Sequence, residues 1–168
     1  MTESPPVADT DPAVLFDQYG ASLYRFARVL LRHSEDAEDV VQTAFVRLIE
    51  HLERNGDASN LRAWLFTVTA NLARDRVRRR RRWLPWTAAP AREPATAPEL
   101  DTRDPERQFL AAFERLAPRD RLLLALRAQG LSYREIARIA DVQPTSVGQL
   151  LARALARWRA AHDATSIT

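Results

Sequence analysis

The residues from Trp83 to Asp104 break every periodic pattern in this chain, and that break constrains the fold more than any other feature. The stretch carries Pro85, Pro90, Pro94 and Pro98 among five alanines. Proline has no amide hydrogen to donate and pushes the residue before it toward extended backbone. A semi-extended, flexible linker is expected here, reaching up to ~3.1 Å per residue where it is polyproline-like. A structureless segment of that length is out of place inside one compact domain. A chain of 168 residues has room for one domain or two small ones. The linker, 83–104, therefore divides it into two units, 12–82 and 105–161, with tails at 1–11 and 162–168.

In the first unit apolar residues recur at helical spacing. Leu15, Tyr19, Leu23, Phe26, Ala27 and Leu30 make one stripe. Ala37, Val40, Val41, Ala44, Phe45, Leu48, Ile49 and Leu52 make a second, and Leu61, Trp64, Leu65, Val68 and Leu72 a third. Ser34 is placed to cap the second helix, and Glu35, Asp36, Glu38 and Asp39 put negative charge in its first turn, where the helix dipole favours it. Arg54 to Asn60 reads as a polar turn, with Ser59 or Asn60 capping the third helix. No segment alternates with period two for long enough to be a strand. The fold class is all-α: two small helical domains joined by the Pro/Ala-rich linker.

The second unit is helical again. Asp104, Pro105 and Glu106 have the order of a cap, a first-turn proline and a first-turn acid, and Phe109, Leu110, Phe113 and Leu116 follow as an apolar face. Pro118 opens a helix that stops near Gln129 and Gly130. Ser132 and Glu135 have capping-box spacing and start a short helix, Tyr133 to Ala140. A turn from Asp141 to Pro144 leads to a last helix, from Thr145 to about Ala161. That order is helix-turn-helix geometry. Ala137 is small enough for a close helix crossing, Asp141 tolerates left-handed backbone, and Ile136, Ile139 and Val147 are spaced to bury the seam. A plain helical hairpin is the competing reading.

All 25 basic residues are arginine. The guanidinium fork suits phosphate, but a GC-rich coding bias explains the total more simply, so placement carries the information. Seven arginines fall between Arg74 and Arg82. The five in succession repel one another well beyond what a helix C-terminus needs, and partner phosphates would relieve that at a salt-dependent gain. Trp83 and Trp86 follow, suited to stacking on bases or to packing the linker onto a domain.

Catalytic constellations are absent from the sequence. There is no cysteine, His33, His51 and His162 lie far apart, and the four glycines are isolated. No metal site, no phosphate-cradling loop, no cofactor and no enzymatic activity are expected. No apolar run reaches about 18 residues, so no membrane insertion is expected. The acidic, Pro-containing start is unlike a signal peptide, which makes a cytoplasmic protein the expectation.

Three segments together resemble bacterial RNA polymerase sigma factors of the extracytoplasmic-function (ECF) group. They are Asp36-Ala-Glu-Asp-Val-Val-Gln-Thr-Ala-Phe45, Leu61-Arg-Ala-Trp-Leu-Phe-Thr-Val-Thr-Ala-Asn-Leu-Ala-Arg-Asp-Arg76, and Leu131-Ser-Tyr-Arg-Glu-Ile-Ala137 continuing through Val147. The resemblance covers about Pro12 to Arg82 and Glu106 to Ala161. It implies a transcription initiation factor whose partners are core RNA polymerase and promoter DNA, with an anti-sigma factor as a further partner in the family. It implies docking on the polymerase through Asp39, Gln42, Phe45 and Arg47, while Val40, Val41, Ala44 and Leu48 serve the core. The turn from Arg54 to Asn60 would capture a flipped base of the minus-ten element, read on its edge by Asn55 and Asn60, whose amides offer both donor and acceptor. Asn71, Arg74 and Arg78 share one helical face and would meet the adjacent DNA. Trp64, spaced with Leu61 and Leu65, belongs to the core rather than to a base stack. Ser146, Gln149 and Arg153 would read the minus-thirty-five element, with Arg157 toward phosphate.

The chain departs from the family pattern in two places. Gly148 and Leu150 stand where basic residues are common, and Thr43 and Ala44 follow Gln42 where an acidic residue is frequent. Glycine inside a helix costs about 1 kcal/mol relative to alanine, so upstream readout should be weak, unusual or assisted by DNA shape. Two rivals stay open at this point. One is a stand-alone helix-turn-helix regulator, which leaves the acidic helix start and the linker unexplained. The other is a sigma-like decoy that binds polymerase or an anti-sigma factor but no promoter.

Overall fold

Three long helices build the first half: α1 (Pro12–Leu31), α2 (Ser34–Glu53) and α3 (Leu61–Trp83). They belong to a computed structural model that describes residues 10–54, 56–83 and 111–166. Asn55, Trp86, the rest of the expected linker beyond Trp83, and the segment holding Asp104, Pro105, Glu106, Phe109 and Leu110 lie outside the described residues, as do residues 1–9 of the expected N-terminal tail.

Local chemistry sets each helix start. The Asp11 side chain accepts the Ala13 amide at 2.8 Å just ahead of Pro12, whose fixed φ suits a first helical position. Asn60 caps α3, with Oδ1 accepting the Ala63 amide at 3.0 Å. The cap expected at Ser34 is displaced by one residue. Arg32 ends α1 in left-handed backbone (φ 68°), which brings the extended residue His33 into the capping position and makes Ser34 the first residue of α2. No side chain caps α2, and Glu35 and Asp36 supply the favourable charge in its first turn.

Burial follows the expected stripes, although Tyr19, Leu30, Leu52, Val68 and Leu72 are only partly buried, and two residues depart further. Phe26 of α1 and Phe66 of α3 meet edge to face, with centroids 5.2 Å apart, at the centre of the three-helix core. Leu23, Ala44, Leu48 and Leu65 are fully buried around them. Ile49, assigned to the buried stripe, is instead 41% exposed. It lies about 100° round the helix from Leu48, outside the buried arc. Trp64 is only half-buried, at the edge of the core, and Phe66 takes the central place.

The second half comprises a helical stretch at 111–115, α4 (Pro118–Ala128), α5 (Tyr133–Ala140), a 3₁₀ turn (Pro144–Ser146) and α6 (Val147–Ser166). The last helix therefore opens with a 3₁₀ turn rather than an α-turn at Thr145, and it runs five residues past the expected end at Ala161. Both halves of the capping box form: the Ser132 hydroxyl accepts the Glu135 amide, and the Glu135 carboxylate accepts the Ser132 amide at 2.7 Å. Gly130 (φ 72°) and Asp141 (φ 54°) both take left-handed backbone. Ala137 lets α5 and α6 approach, and Ile136, Ile139 and Val147 are buried in the seam. The motif is a helix-turn-helix, and among the described residues no strand occurs.

Gly148 has room for a side chain. A Cβ there would meet the Tyr133 ring at 3.6 Å, an ordinary contact. Gly148→Ala should therefore stabilise the protein by up to about 1 kcal/mol. Chemical denaturation reads this directly, and a lower midpoint would show that Tyr133 cannot yield.

The two halves touch. α1 packs on α4 and α3 on α5, and a single apolar cluster runs from Leu15 to Leu151 across both.

Candidate nucleic-acid interface

On α2 the side opposite Ala44 and Leu48 carries Asp39, Gln42, Val46 and Ile49, all exposed. Val46 is 55% exposed and, like Ile49, has no cover. Phe45 sits at the margin of this row, 8% exposed, with its ring edge-on to Phe16 of α1 at 4.9 Å. Phe16 is itself half exposed. An uncovered apolar row flanked by polar groups is the mark of a docking surface. Arg47 is exposed but lies about 100° round from Val46, off this row. Asp39 holds Arg76 of α3 at 2.9 Å, while Asp36 holds the same guanidinium at 2.6 Å. Hydrogen bonding to Asp36 first, and then to Asp39, keeps Arg76 above its ordinary pKa.

The turn between α2 and α3 is built around His51. Its ring stacks on Trp64, with centroids 4.7 Å apart and planes 27° apart. His51 Nε2 lies 3.0 Å from the Asp57 carbonyl oxygen, and the His51 carbonyl accepts the Gly56 amide at 2.9 Å. Asp57 Oδ1 accepts the Ser59 amide at 2.8 Å, and that bond holds the Asp57 carboxyl below its ordinary range. Asn60 follows, with its Nδ2 pointing away from the helix it caps.

Much of the arginine run is internally paired. Arg74 donates to the Asn71 side chain at 3.1 Å, Arg78 to Asp75, and Arg80 lies 3.7 Å from Asp36. The acidic start of α2 thus neutralises part of α3 as well as answering its own dipole. The shared face of Asn71, Arg74 and Arg78 is exposed.

In the second half, Ser146, Gln149 and Arg153 line one open cleft of 450 Å³ beside the helix-turn-helix. Arg157 is committed elsewhere: its Nη1 pairs at 2.8 Å with Asp120, whose side chain is only 8% exposed. Arg157→Ala should leave that buried carboxylate without a partner and destabilise the second half by roughly 1–3 kcal/mol. Replacing Gln149 and Arg153 with alanine should leave the melting temperature alone and change DNA preference only. Parallel melts and binding to a promoter set separate the two outcomes.

Four tethers cross between the halves. Asn60 Nδ2 donates to Glu135 Oε1 at 2.8 Å, and Arg32 pairs with Glu114 at 3.3 Å. Arg62 donates to the Gln129 carbonyl and Arg74 to the Ile139 carbonyl, at helix ends where unpaired carbonyls favour positive charge. Burial pushes the Glu135 carboxyl up, but the Ser132 bonds, the Asn60 amide and the Arg62 charge outweigh it and hold Glu135 below its ordinary range. Beside the tethers lies a cleft of 770 Å³ lined by Leu30, Val77 and Arg78 on one side and Arg119 and Leu122 on the other. Arg121, 8% exposed, leaves Nε and one terminal nitrogen without a partner. Burial first, and then the charge of nearby Arg32, lower its pKa.

The Sigma-70 region 2 profile matches residues 15–83, and the Sigma-70, region 4 profile matches residues 106–157. The chain is 30% identical over 146 residues to the ECF RNA polymerase sigma factor EcfG of Rhodopseudomonas palustris, spanning 83% of this chain and 78% of that protein. This chain belongs to the ECF sigma factors. It is also 29% identical to the sigma factor CarQ of Myxococcus xanthus over 136 residues, 77% of this chain and 76% of CarQ. Among solved structures it is similar to the sigma factor RpoE in complex with the anti-sigma factor NepR from Bartonella quintana. That match has a TM-score of 0.69 and 25% identity, and covers 90% of this chain and 96% of RpoE. A second is CnrH in complex with the cytosolic domain of CnrY, with a TM-score of 0.65, 26% identity, and coverage of 91% and 88%.

A sigma factor gives RNA polymerase its promoter recognition, and that is the function of this chain. Among the described residues no helix is long and apolar enough to cross a membrane. Of the residues that sequence reasoning singled out, the sigma factor brings Asn60 and Arg74 together at the seam between its halves. It keeps Asp39 and Gln42 on one open face of α2, and Ser146, Gln149 and Arg153 at one cleft. Val46, Ile49 and His51 were missed as functional candidates. The repeat Gln42, Val46, Ile49 was the available signal for the first two, since it places apolar residues on the side of α2 that carries Asp39.

Proposed function

We propose that this sigma factor works through two units, 12–82 and 105–161, joined by residues 83–104. The first docks on core RNA polymerase through Asp39, Gln42, Val46 and Ile49, with Phe45 and Phe16 at the margin and Arg47 on the flank. The turn before α3 takes an unpaired minus-ten base through Asn60 and Asn55, and Asn71, Arg74 and Arg78 hold the neighbouring strand. Ser146, Gln149 and Arg153 read the minus-thirty-five element. The factor performs no chemistry: it stabilises strand opening by binding the unpaired bases, in the cytoplasm where the polymerase works. The observation that carries this reading is the uncovered row of Val46 and Ile49 on the same helix face as Asp39 and Gln42. Because Asn60 and Arg74 are engaged by the second half, promoter contact requires the halves to part when the polymerase takes the factor up.

An antagonist of the anti-sigma type is a further partner. The RpoE structure, similar over nearly the whole chain, holds such a protein. The decisive experiment is transcription in vitro from a promoter library, with purified protein and core RNA polymerase. Correctly initiated transcripts enriched for two promoter elements are expected. Core binding without transcription would make the protein a decoy, and neither would make it a stand-alone DNA binder.

A further inference from the structure

The promoter reading leaves His51 without a role, although the turn before α3 is assembled on it. Two hydrogen bonds, one ring stack and one steric fit converge there. The imidazole lies against the Trp64 ring at 4.7 Å. Its Nε2 faces the Asp57 carbonyl oxygen at 3.0 Å. A carbonyl only accepts, so Nε2 carries the hydrogen. The His51 carbonyl takes the Gly56 amide at 2.9 Å. The ring also fills the space that a Cβ on residue 56 would need, so only glycine fits that slot. From Asp57 the turn continues without slack through the Ser59 amide to Asn60, whose Oδ1 caps α3.

We infer that His51 is a positioning residue for minus-ten recognition: held between Trp64 and Gly56, it fixes the path of the turn and so the place of the Asn60 amide. The inference rests on the reading of this turn as the one that takes an unpaired base. His51 acts through the turn and does not touch the DNA. A base edge is read by hydrogen bonds that weaken steeply with angle and distance. A turn held in one conformation therefore discriminates between bases, whereas a loose one adapts to all of them. The same geometry covers one face of Trp64, which serves the turn as a backing plate and not as a stacking platform for DNA on that side.

Two substitutions separate the ring from the donor. His51→Phe keeps an aromatic ring on Trp64 and removes the hydrogen bond to Asp57. His51→Gln gives up the stack and keeps an N–H donor within reach. Full-length protein with core RNA polymerase is presented with promoters carrying 2-aminopurine at each minus-ten position in turn, whose fluorescence rises when that base unstacks. Competition between the promoter and its single-base variants then gives the discrimination ratio at the unstacked position.

Wild-type protein should unstack one position. His51→Phe should lower discrimination there about ten- to a hundredfold, with core affinity unchanged, and His51→Gln should restore most of it. Gly56→Ala, which drives the ring from its slot from the other side, should reproduce the loss. A merely structural role would lower the melting temperature and weaken all promoters alike, leaving the ratio unmoved. If the base unstacks and both His51→Phe and Gly56→Ala keep the wild-type ratio, the inference is overturned while the reading of the turn stands. If no position unstacks in the wild-type complex although transcription proceeds, that reading falls and takes the inference with it.

Discussion

Val46→Asp combined with Ile49→Asp should lower the affinity for core RNA polymerase by about a hundredfold or more and leave the protein folded. Both side chains are already in solvent, at 55% and 41% exposure, so the substitutions take nothing from the core. Exposed positions of this kind shift stability by no more than about 0.5 kcal/mol. In the complex the same positions would put two carboxylates against an apolar partner surface, where unpaired charge is heavily penalised. Asp39 and Gln42 on the same face keep their places, so the weaker binding reports the apolar row alone. The checks are a thermal melt and a binding titration against core polymerase. Affinity within twofold of wild type would move the docking surface off this face of α2.

Arg74→Ala with Arg78→Ala should cut open-complex formation by about a hundredfold or more while sparing core binding, since charge-assisted hydrogen bonds to phosphate are among the strong ones. The salt dependence should flatten as well, by about 0.7 in log–log slope for each single-strand phosphate that the variant no longer neutralises. Competing explanations run the opposite way. Arg74 is one of the tethers between the halves, through the Ile139 carbonyl, so its removal loosens the closed arrangement and by itself would favour promoter access. A fall in open complexes therefore reports a weaker hold on the DNA. Permanganate footprinting of the minus-ten region measures it, and an unchanged footprint would remove the DNA face from this side of α3.

What was legible in the chain is what neighbouring residues decide among themselves. The pairing of Ser132 with Glu135, the left-handed backbone at Gly130 and Asp141, the cap at Asn60 and the burial of Val147 each depend on a few residues of local chemistry. The misplaced cap at Ser34 is a local matter too, decided by how Arg32 turns the chain. The rest was set by partners far away along the sequence. Arg76 finds Asp36 and Asp39, Arg157 finds Asp120, and Arg74 finds Ile139; no spacing rule points to such pairs. Periodicity failed at Ile49 for a different reason. It marks an apolar residue near a buried arc as buried, and a docking surface is made of apolar residues that the fold leaves uncovered. Composition likewise marked a break between two helical halves, but it carried no sign that the helices of those halves would pack on one another.

Arg121 bears on the rate at which this factor can be recruited. A guanidinium held out of water with two nitrogens unpaired, beside Arg32 and with only Glu114 as a nearby opposite charge, would gain hydration if the halves parted, and that gain works against the closed form. A closed form opposed in this way would open more readily than one held by apolar contacts alone. If polymerase took up only molecules already open, the observed association rate would be the intrinsic rate multiplied by the open fraction. Any ligand that held the halves together would then slow recruitment in proportion to that fraction, without having to cover the polymerase-binding face.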